Sequence, residues 1–148
     1  MNLAQNYVLE YEHNEDKLKV VNTFIQHLKT QVIVIEGRAG SGKSKIIEAL
    51  VKDDENIFRG CGEKTHIGPF VFTPSDSKYV AIDDTEYFET KQVLDFLKLA
   101  ESEGKIAIVS SQGLEYFPVA LKNVFKPKNF CKAENISIVT IQTSFKNE

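Results

Sequence analysis

Residues 36–47 read EGRAGSGKSKII, and this stretch decides the fold of the chain. It follows a short β-branched apolar run, QVIVI, and precedes an apolar pattern at helical spacing. Gly37, Gly40 and Gly42 allow a tight turn whose N–H groups point at an anion, because side chains there would block the turn or the anion. The helix that follows adds the positive end of its dipole. The stretch therefore predicts a phosphate-binding loop between a buried strand and a helix.

The loop GRAGSGKS fits the pattern G-x-x-x-x-G-K-[ST] in full. In this pattern the lysine, Lys43, reaches the β- and γ-phosphates of a nucleotide, and the hydroxyl of Ser44 holds Mg²⁺. The expected ligand is therefore a magnesium-bound nucleoside triphosphate. The predicted binding residues are Gly37, Arg38, Ala39, Gly40, Ser41, Gly42, Lys43, Ser44 and Lys45.

Two further apolar runs end in polar residues, YVAIDD at Asp83 and Asp84, and KIAIVSSQ at Ser111 and Gln112. Asp83 is predicted to hold the magnesium ion through water, and Asp84 to be the general base for an attacking water. Gln112 is the first candidate to orient that water, followed by Ser111 and Ser110. The alternatives are that the aspartates cap a helix and that SSQ merely turns the chain.

The order of the remaining patterns indicates the fold class. Tyr7, Leu9 and Tyr11 alternate, so a short strand or an ordered arm is expected there. Helices are predicted over 14–29, 43–52, 90–103 and 119–125, and further strands at FVF (70–72) and ISIVTIQT. Buried strands that alternate with helices predict an α/β fold, a three-layer sandwich in which a mostly parallel, five-stranded sheet carries helices on both faces.

Length and composition set the broad class. At 148 residues the chain is expected to be a single domain, with 1–30 as an N-terminal arm and helix and 31–143 as a nucleotide-binding core. Hydrophobic residues make up 42% and charged residues 26%, as in soluble globular proteins. There is no apolar run of about 18 residues and no signal-peptide layout, so a cytoplasmic location and no membrane partner are expected.

The net charge of −3 argues against a generally basic surface that binds nucleic acid. KNVFKPKNFCK holds four lysines and is either a local DNA contact or a solvated loop. Cys61 and Cys131 lack metal-ligand spacing with each other or with the histidines, so they are expected to be reduced thiols.

With these motifs the chain resembles the P-loop NTPases, in the additional-strand (ASCE) division, where an extra strand separates the loop strand from the acidic strand. The resemblance covers roughly residues 31–143. It implies a sheet ordered 5-1-4-3-2, with ATP and Mg²⁺ as ligands.

Within that division, the segment from the acidic strand through GKIAIVSSQ to YFPVALKN is similar to the HerA/FtsK group, which includes viral DNA-packaging ATPases and Zot-like phage proteins. Superfamily 3 helicases share the short spacing from Lys43 to Asp83 and the paired aspartates. AAA+ proteins are similar in the segment PVALKNVF. These resemblances imply ATP hydrolysis, DNA as a partner and assembly into a homo-oligomer, inside a host cell if the protein is viral.

Two departures from the family bear on mechanism. Asp84 is shorter than the glutamate usual at its position, and the chain contains two arginines, Arg38 and Arg59. A finger arginine contributes about 10³–10⁵ in rate, and Arg38 lies in the loop itself. We therefore expect that Arg59, a lysine or a partner protein supplies the cation, or that turnover is slow. An ATP-gated switch or assembly factor and a small nucleotide or metabolite kinase remain alternatives.

Overall fold

Six parallel strands form one sheet in the computed structural model, which describes residues 5–11, 15–38, 40–59, 69–112 and 136–143. Their order across the sheet is β1-β6-β2-β5-β4-β3, and every neighbouring pair runs parallel. The strands are β1 Gln5–Tyr11, β2 Val32–Glu36, β3 Ile57–Arg59, β4 Tyr79–Asp83, β5 Ile106–Ser111 and β6 Ile136–Thr143. Parallel strands place all their carboxyl ends at one edge, where ligands bind in sheets of this type.

Helices cover both faces of this sheet, as predicted for a three-layer sandwich. The described helices are α1 Glu15–Gln26, α2 Lys43–Val51 and α3 Thr90–Ser102. Val32 and Val34 pack with α3, whereas Ile33 and Ile35 pack with α1 and α2 on the opposite face. All four side chains are at most 1% exposed, and each contributes about 1.5–3 kcal/mol through burial. The alternation explains why the run VIVI contains no polar residue.

The predicted five-stranded sheet is wrong in strand number, and the order 5-1-4-3-2 does not describe the whole sheet. The extra strand is β1, which pairs with β6 along its full length. Tyr7 and Leu9 are half-buried against the α1 face, and the ring of Tyr7 meets Phe24 edge-on at 5.1 Å. Elsewhere the neighbours are the expected ones. The strands β6, β2, β5 and β4 lie side by side and take the predicted places 5, 1, 4 and 3.

Residues 70–72 do not form the predicted strand; the three residues of β3 take the place beside β4. The segment after it is held instead by the buried side chain of Asn56, whose amide donates to the carbonyl of Thr73 and accepts from its N–H, both at 2.8 Å. Phe70 and Phe72 then pack edge-on against Phe96 of α3, at 5.5 and 5.7 Å between ring centroids. Side-chain packing replaces strand pairing at this edge.

The predicted helix boundaries are close to the observed ones. α3 begins at Thr90 behind a capping box formed by Glu89 and Gln92, and Gly104 follows its end with φ +71°. The predicted helix over 119–125 and both cysteines lie outside the described residues. Among the described helices, none has the length and apolar character needed to cross a bilayer.

Asn56→Ala is expected to destabilise the protein by about 2 kcal/mol, because it leaves the N–H and carbonyl of Thr73 without their partner. Urea denaturation of wild type and variant measures this difference. Val71→Ala is the control in the same segment, since Val71 is 74% exposed; it should change stability by less than about 0.5 kcal/mol. Equal effects of the two substitutions would contradict the role of Asn56.

Candidate functional site

The glycine-rich loop, residues 37–42, connects β2 to α2 at the carboxyl edge of the sheet. Gly40 and Gly42 have φ of +82° and +101°, a backbone region that side chains disfavour. The N–H of Gly37 donates to the carbonyl of Ser111 at 3.0 Å. A Cβ on Gly37 would lie 2.7 Å from the Ser41 hydroxyl and 3.0 Å from the carbonyl of Ile141. Each glycine is therefore required, and the loop packs directly on β5 and β6.

Lys43, the first residue of α2, is 6% exposed and reaches back under the loop. Its Nζ donates to the carbonyls of Gly37 and Arg38. Burial lowers the pKa of this ammonium, and the negative charges of Asp84, Glu86 and Asp83 partly oppose the shift. The carboxylates thus help to keep a buried cation beside the loop.

Asp83, at the end of β4, is 3% exposed, and each of its carboxylate oxygens accepts a short hydrogen bond. Ser44 donates to Oδ2 and Ser110 donates to Oδ1, both at 2.6 Å. Ser110 Oγ in turn accepts the N–H of Asp84 at 2.8 Å. The predicted magnesium pair, Ser44 and Asp83, is therefore in direct contact.

Asp84 leaves β4 in the left-handed region, with φ +66° and ψ +68°. It precedes the 3₁₀ turn Thr85–Tyr87, and its side chain makes no capping hydrogen bond to that turn. Desolvation raises the pKa of its carboxyl, repulsion from Asp83 and Glu86 raises it further, and Lys43 opposes them. Asp84 therefore occupies the N-cap position of the turn, as in the alternative interpretation, but its side chain does not cap the turn.

One cleft of about 330 Å³ lies above these residues, within the size range of small-molecule sites. Its lining comes from the loop, from α2, from the segment after β4 and from the residue after β5: Gly40, Gly42, Lys43, Ser44, Lys45, Asp84, Tyr87 and Gln112. All of these except Tyr87 are predicted site residues. The structure thus brings Asp84 and Gln112 to the same cleft as the loop. Arg38 is exposed, Ser41 is buried beneath the loop, and Ala39 lies outside the described residues.

The three polar residues at the end of β5 differ in their contacts. Ser110 bonds to Asp83, as described above, and Gln112 lines the cleft. The Ser111 hydroxyl donates to Glu86 Oε2 at 2.8 Å. Of the candidates for orienting a water, Gln112 is therefore the one that lines the cleft.

Glu86 and Tyr87 are parts of the site that the sequence reasoning missed. Glu86 contacts the end of β5, and Tyr87 lines the cleft. The signal for Glu86 was present, since DDTE places three acids within four positions after a buried strand. Tyr87 carried no such signal, because a tyrosine in a short turn is equally compatible with packing.

The two arginines lie in different settings. Arg38 is an exposed residue of the loop. Arg59 forms ion pairs with Glu48 at 3.0 Å and with Asp54 at 2.8 Å, so its guanidinium is already neutralised by two carboxylates. Its use as a finger would require both pairs to break.

No protein-family model and no curated protein matches the chain. Among solved structures, it is similar to a DNA polymerase III gamma subunit-related protein from Thermotoga maritima, with 15% identity and a TM-score of 0.49. The match covers 86% of this chain and 46% of that one, so the present chain spans less than half the length of that protein. The resemblance to the HerA/FtsK group remains a prediction from the sequence.

Asp84→Asn is expected to stabilise the fold at pH 7, because it removes a carboxylate that burial and two neighbouring acids disfavour. Asparagine also tolerates the left-handed backbone. Since the pKa of Asp84 is raised in the folded state, the wild type loses stability as pH rises from 3.8 through the folded value. The Tm advantage of the variant should therefore be about 1–4 °C at pH 7 and vanish below pH 3.8.

Differential scanning calorimetry across this pH range measures the effect. Asp95→Asn, at an exposed position of α3, is the matched control and should change the Tm by less than about 1 °C at pH 7. A variant at Asp84 that is less stable than wild type at pH 7 would show that the charge there is not disfavoured.

Proposed function

We propose that this protein is a P-loop NTPase that binds MgATP in the cleft and hydrolyses it. The observation that carries the proposal is the convergence of Asp84 and Gln112 on the cleft lined by Gly40, Lys43 and Ser44. A general base and a water-orienting group are needed beside the γ-phosphate for hydrolysis, but not for binding alone.

The loop supplies the phosphate site in this proposal. Residues 37–45 would surround the phosphates with backbone N–H groups, and Lys43 would pair with the β- and γ-phosphates. The Lys43 ammonium donates to the carbonyls of Gly37 and Arg38 in this structure. Phosphate oxygens can take over as acceptors, so the buried ammonium keeps hydrogen-bond partners on binding.

Ser44 and Asp83 would hold Mg²⁺. Their oxygens suit this hard cation, which usually keeps several waters and binds substrate phosphates in addition to few protein ligands. When bound, the ion would neutralise charge on the phosphates. Ser110 keeps Asp83 oriented through its 2.6 Å hydrogen bond to Oδ1. The other carboxylate oxygen, Oδ2, lies on the α2 side, where it accepts from Ser44.

Asp84 would accept the proton of the attacking water, and Gln112 would orient that water toward the γ-phosphorus. The raised pKa of Asp84 supports the first role, because a base is more effective as its pKa approaches the working pH. Ser111 would contribute through Glu86, to which its hydroxyl donates.

A second reading, an ATP-gated switch or assembly factor, is supported by two observations. Asp84 has a short side chain on a left-handed backbone, and Arg59 is held in two ion pairs. Both features limit turnover without affecting binding. If the protein is a switch, Asp84→Ala should change the rate of ATP hydrolysis little. If Asp84 is the general base for hydrolysis, the same substitution should lower that rate about 10²–10⁴-fold.

We extend the proposal to DNA and to assembly on the basis of the sequence resemblance. A DNA-acting ATPase of viral, phage or mobile-element type would form a homo-oligomer, or bind a partner protein, that supplies a finger cation to the cleft. The function requires a compartment that contains ATP, in keeping with the expected cytoplasmic location.

Steady-state ATP hydrolysis by wild type and Lys43→Ala, with and without single- and double-stranded DNA, tests the proposal. Lys43→Ala should lower kcat/KM by at least about 10²-fold, because it removes a cation that contacts the transferred phosphoryl group. Lys98→Ala, at an exposed position of α3, is the matched control and should retain wild-type activity.

The outcomes separate the readings. Hydrolysis that rises with DNA or with protein concentration supports the DNA-acting oligomer. Tight ATP binding without hydrolysis under any of these conditions favours the switch. Absence of nucleotide binding, measured by calorimetry on wild type, would overturn both.

A further inference from the structure

Three consecutive residues after β4 contact three consecutive residues at the end of β5 through side chains. The N–H of Asp84 donates to Ser110 Oγ at 2.8 Å, and Thr85 Oγ1 donates to the Ser110 carbonyl at 2.8 Å. Glu86 Oε2 then accepts from Ser111 Oγ at 2.8 Å and from the N–H of Gln112 at 2.6 Å. These bonds extend the β4–β5 connection beyond the last paired residues of the two strands.

We propose that Glu86 is a positioning residue that fixes Gln112 relative to Asp84 across the cleft. The contacts of its carboxylate oxygen with Ser111 and Gln112 are named here the Glu86 bridge. Glu86 is two residues from Asp84, and one of its contacts is the backbone of Gln112 itself. The relative placement of the two groups proposed to act on the water therefore depends on this oxygen together with the two bonds to Ser110.

The chemistry of the bridge suits a positioning role. A carboxylate accepts shorter and stronger hydrogen bonds than a neutral oxygen, roughly twice as strong. The contact of the bridge with Ser111 is partly buried, where charge-assisted bonds are screened less, whereas its contact with Gln112 is exposed. Glu86 acts through the backbone and Ser111 and is absent from the described lining of the cleft. Its loss should therefore affect the chemical step more than nucleotide binding.

Glu86→Gln keeps an oxygen acceptor but removes the negative charge. Because a neutral oxygen accepts weaker hydrogen bonds than a carboxylate, this variant should retain part of the Glu86 bridge.

The inference rests on the proposed hydrolysis, so its test has one arm that needs no activity. Amide hydrogen exchange by NMR reports the Gln112 N–H directly. It should be protected in wild type and exchange at least about tenfold faster in Glu86→Ala, because its acceptor is gone. Glu101→Ala, at an exposed position of α3, is the matched control and should leave this amide protected.

The kinetic arm compares Glu86→Ala, Glu86→Gln, Ser111→Ala and the double variant Glu86→Ala/Ser111→Ala. Glu86→Ala should lower kcat about tenfold while the Kd for MgATP changes less than about twofold, since misplaced groups affect the chemical step. Glu86→Gln should recover part of kcat. The double variant should be no slower than Glu86→Ala, because both substitutions remove the same contact.

The amide-exchange arm and the kinetic arm can each fail independently of the other. A wild type that does not hydrolyse ATP overturns the proposed function, and fast Gln112 exchange confined to Glu86→Ala would still support the bridge. The bridge is overturned by a kcat of Glu86→Ala within twofold of an active wild type, or by a Gln112 amide that exchanges equally fast in wild type and Glu86→Ala. Equal losses of kcat and of MgATP affinity would indicate a general structural role and also overturn it.

Discussion

The carboxylate of Asp83 joins three elements at the carboxyl edge of the sheet. Its two oxygens accept hydrogen bonds from Ser44 of α2 and Ser110 of β5, and its own backbone ends β4. A buried carboxylate is costly unless such bonds replace its hydration. The geometry of the cleft therefore depends on this one charge, because it couples the helix after the loop to both strands beside it.

The local patterns of the sequence were sufficient for the centre of the molecule. The strand β2 shows no alternation of polar and apolar residues. Its short β-branched apolar run is typical of an interior parallel strand, which is buried on both faces. The glycine spacing placed the loop, and parallel strands brought Asp84 and Gln112 to the same edge. These inferences held because each strand and the loop can be recognised from residues close together in the chain, and parallel strands then end at one edge of the sheet.

Features that depend on distant pairing could not be predicted in the same way. FVF at 70–72 has a strand-like composition, yet Asn56 and the ring of Phe96 fix it as a packed loop, which requires knowledge of the neighbours. β1 has only short alternation, and its place in the sheet depends on β6. Glu86 can likewise be recognised in the sequence as the third acid of DDTE. Its contact with Ser111 could not be predicted, because Ser111 lies at the end of a strand 25 residues away.

The position of β6 has a consequence for how the molecule forms. This strand lies between β1 and β2, so β1 pairs with a segment about 130 residues later in the chain. The Gly37 turn also packs against the carbonyl of Ile141 in the same strand. During synthesis, β2 and the loop emerge long before β6, and contacts across such separations form late because loop closure must come first. The packing of the loop against β6 is thus expected to form in one of the last steps of folding, after residues 136–143 have emerged from the ribosome.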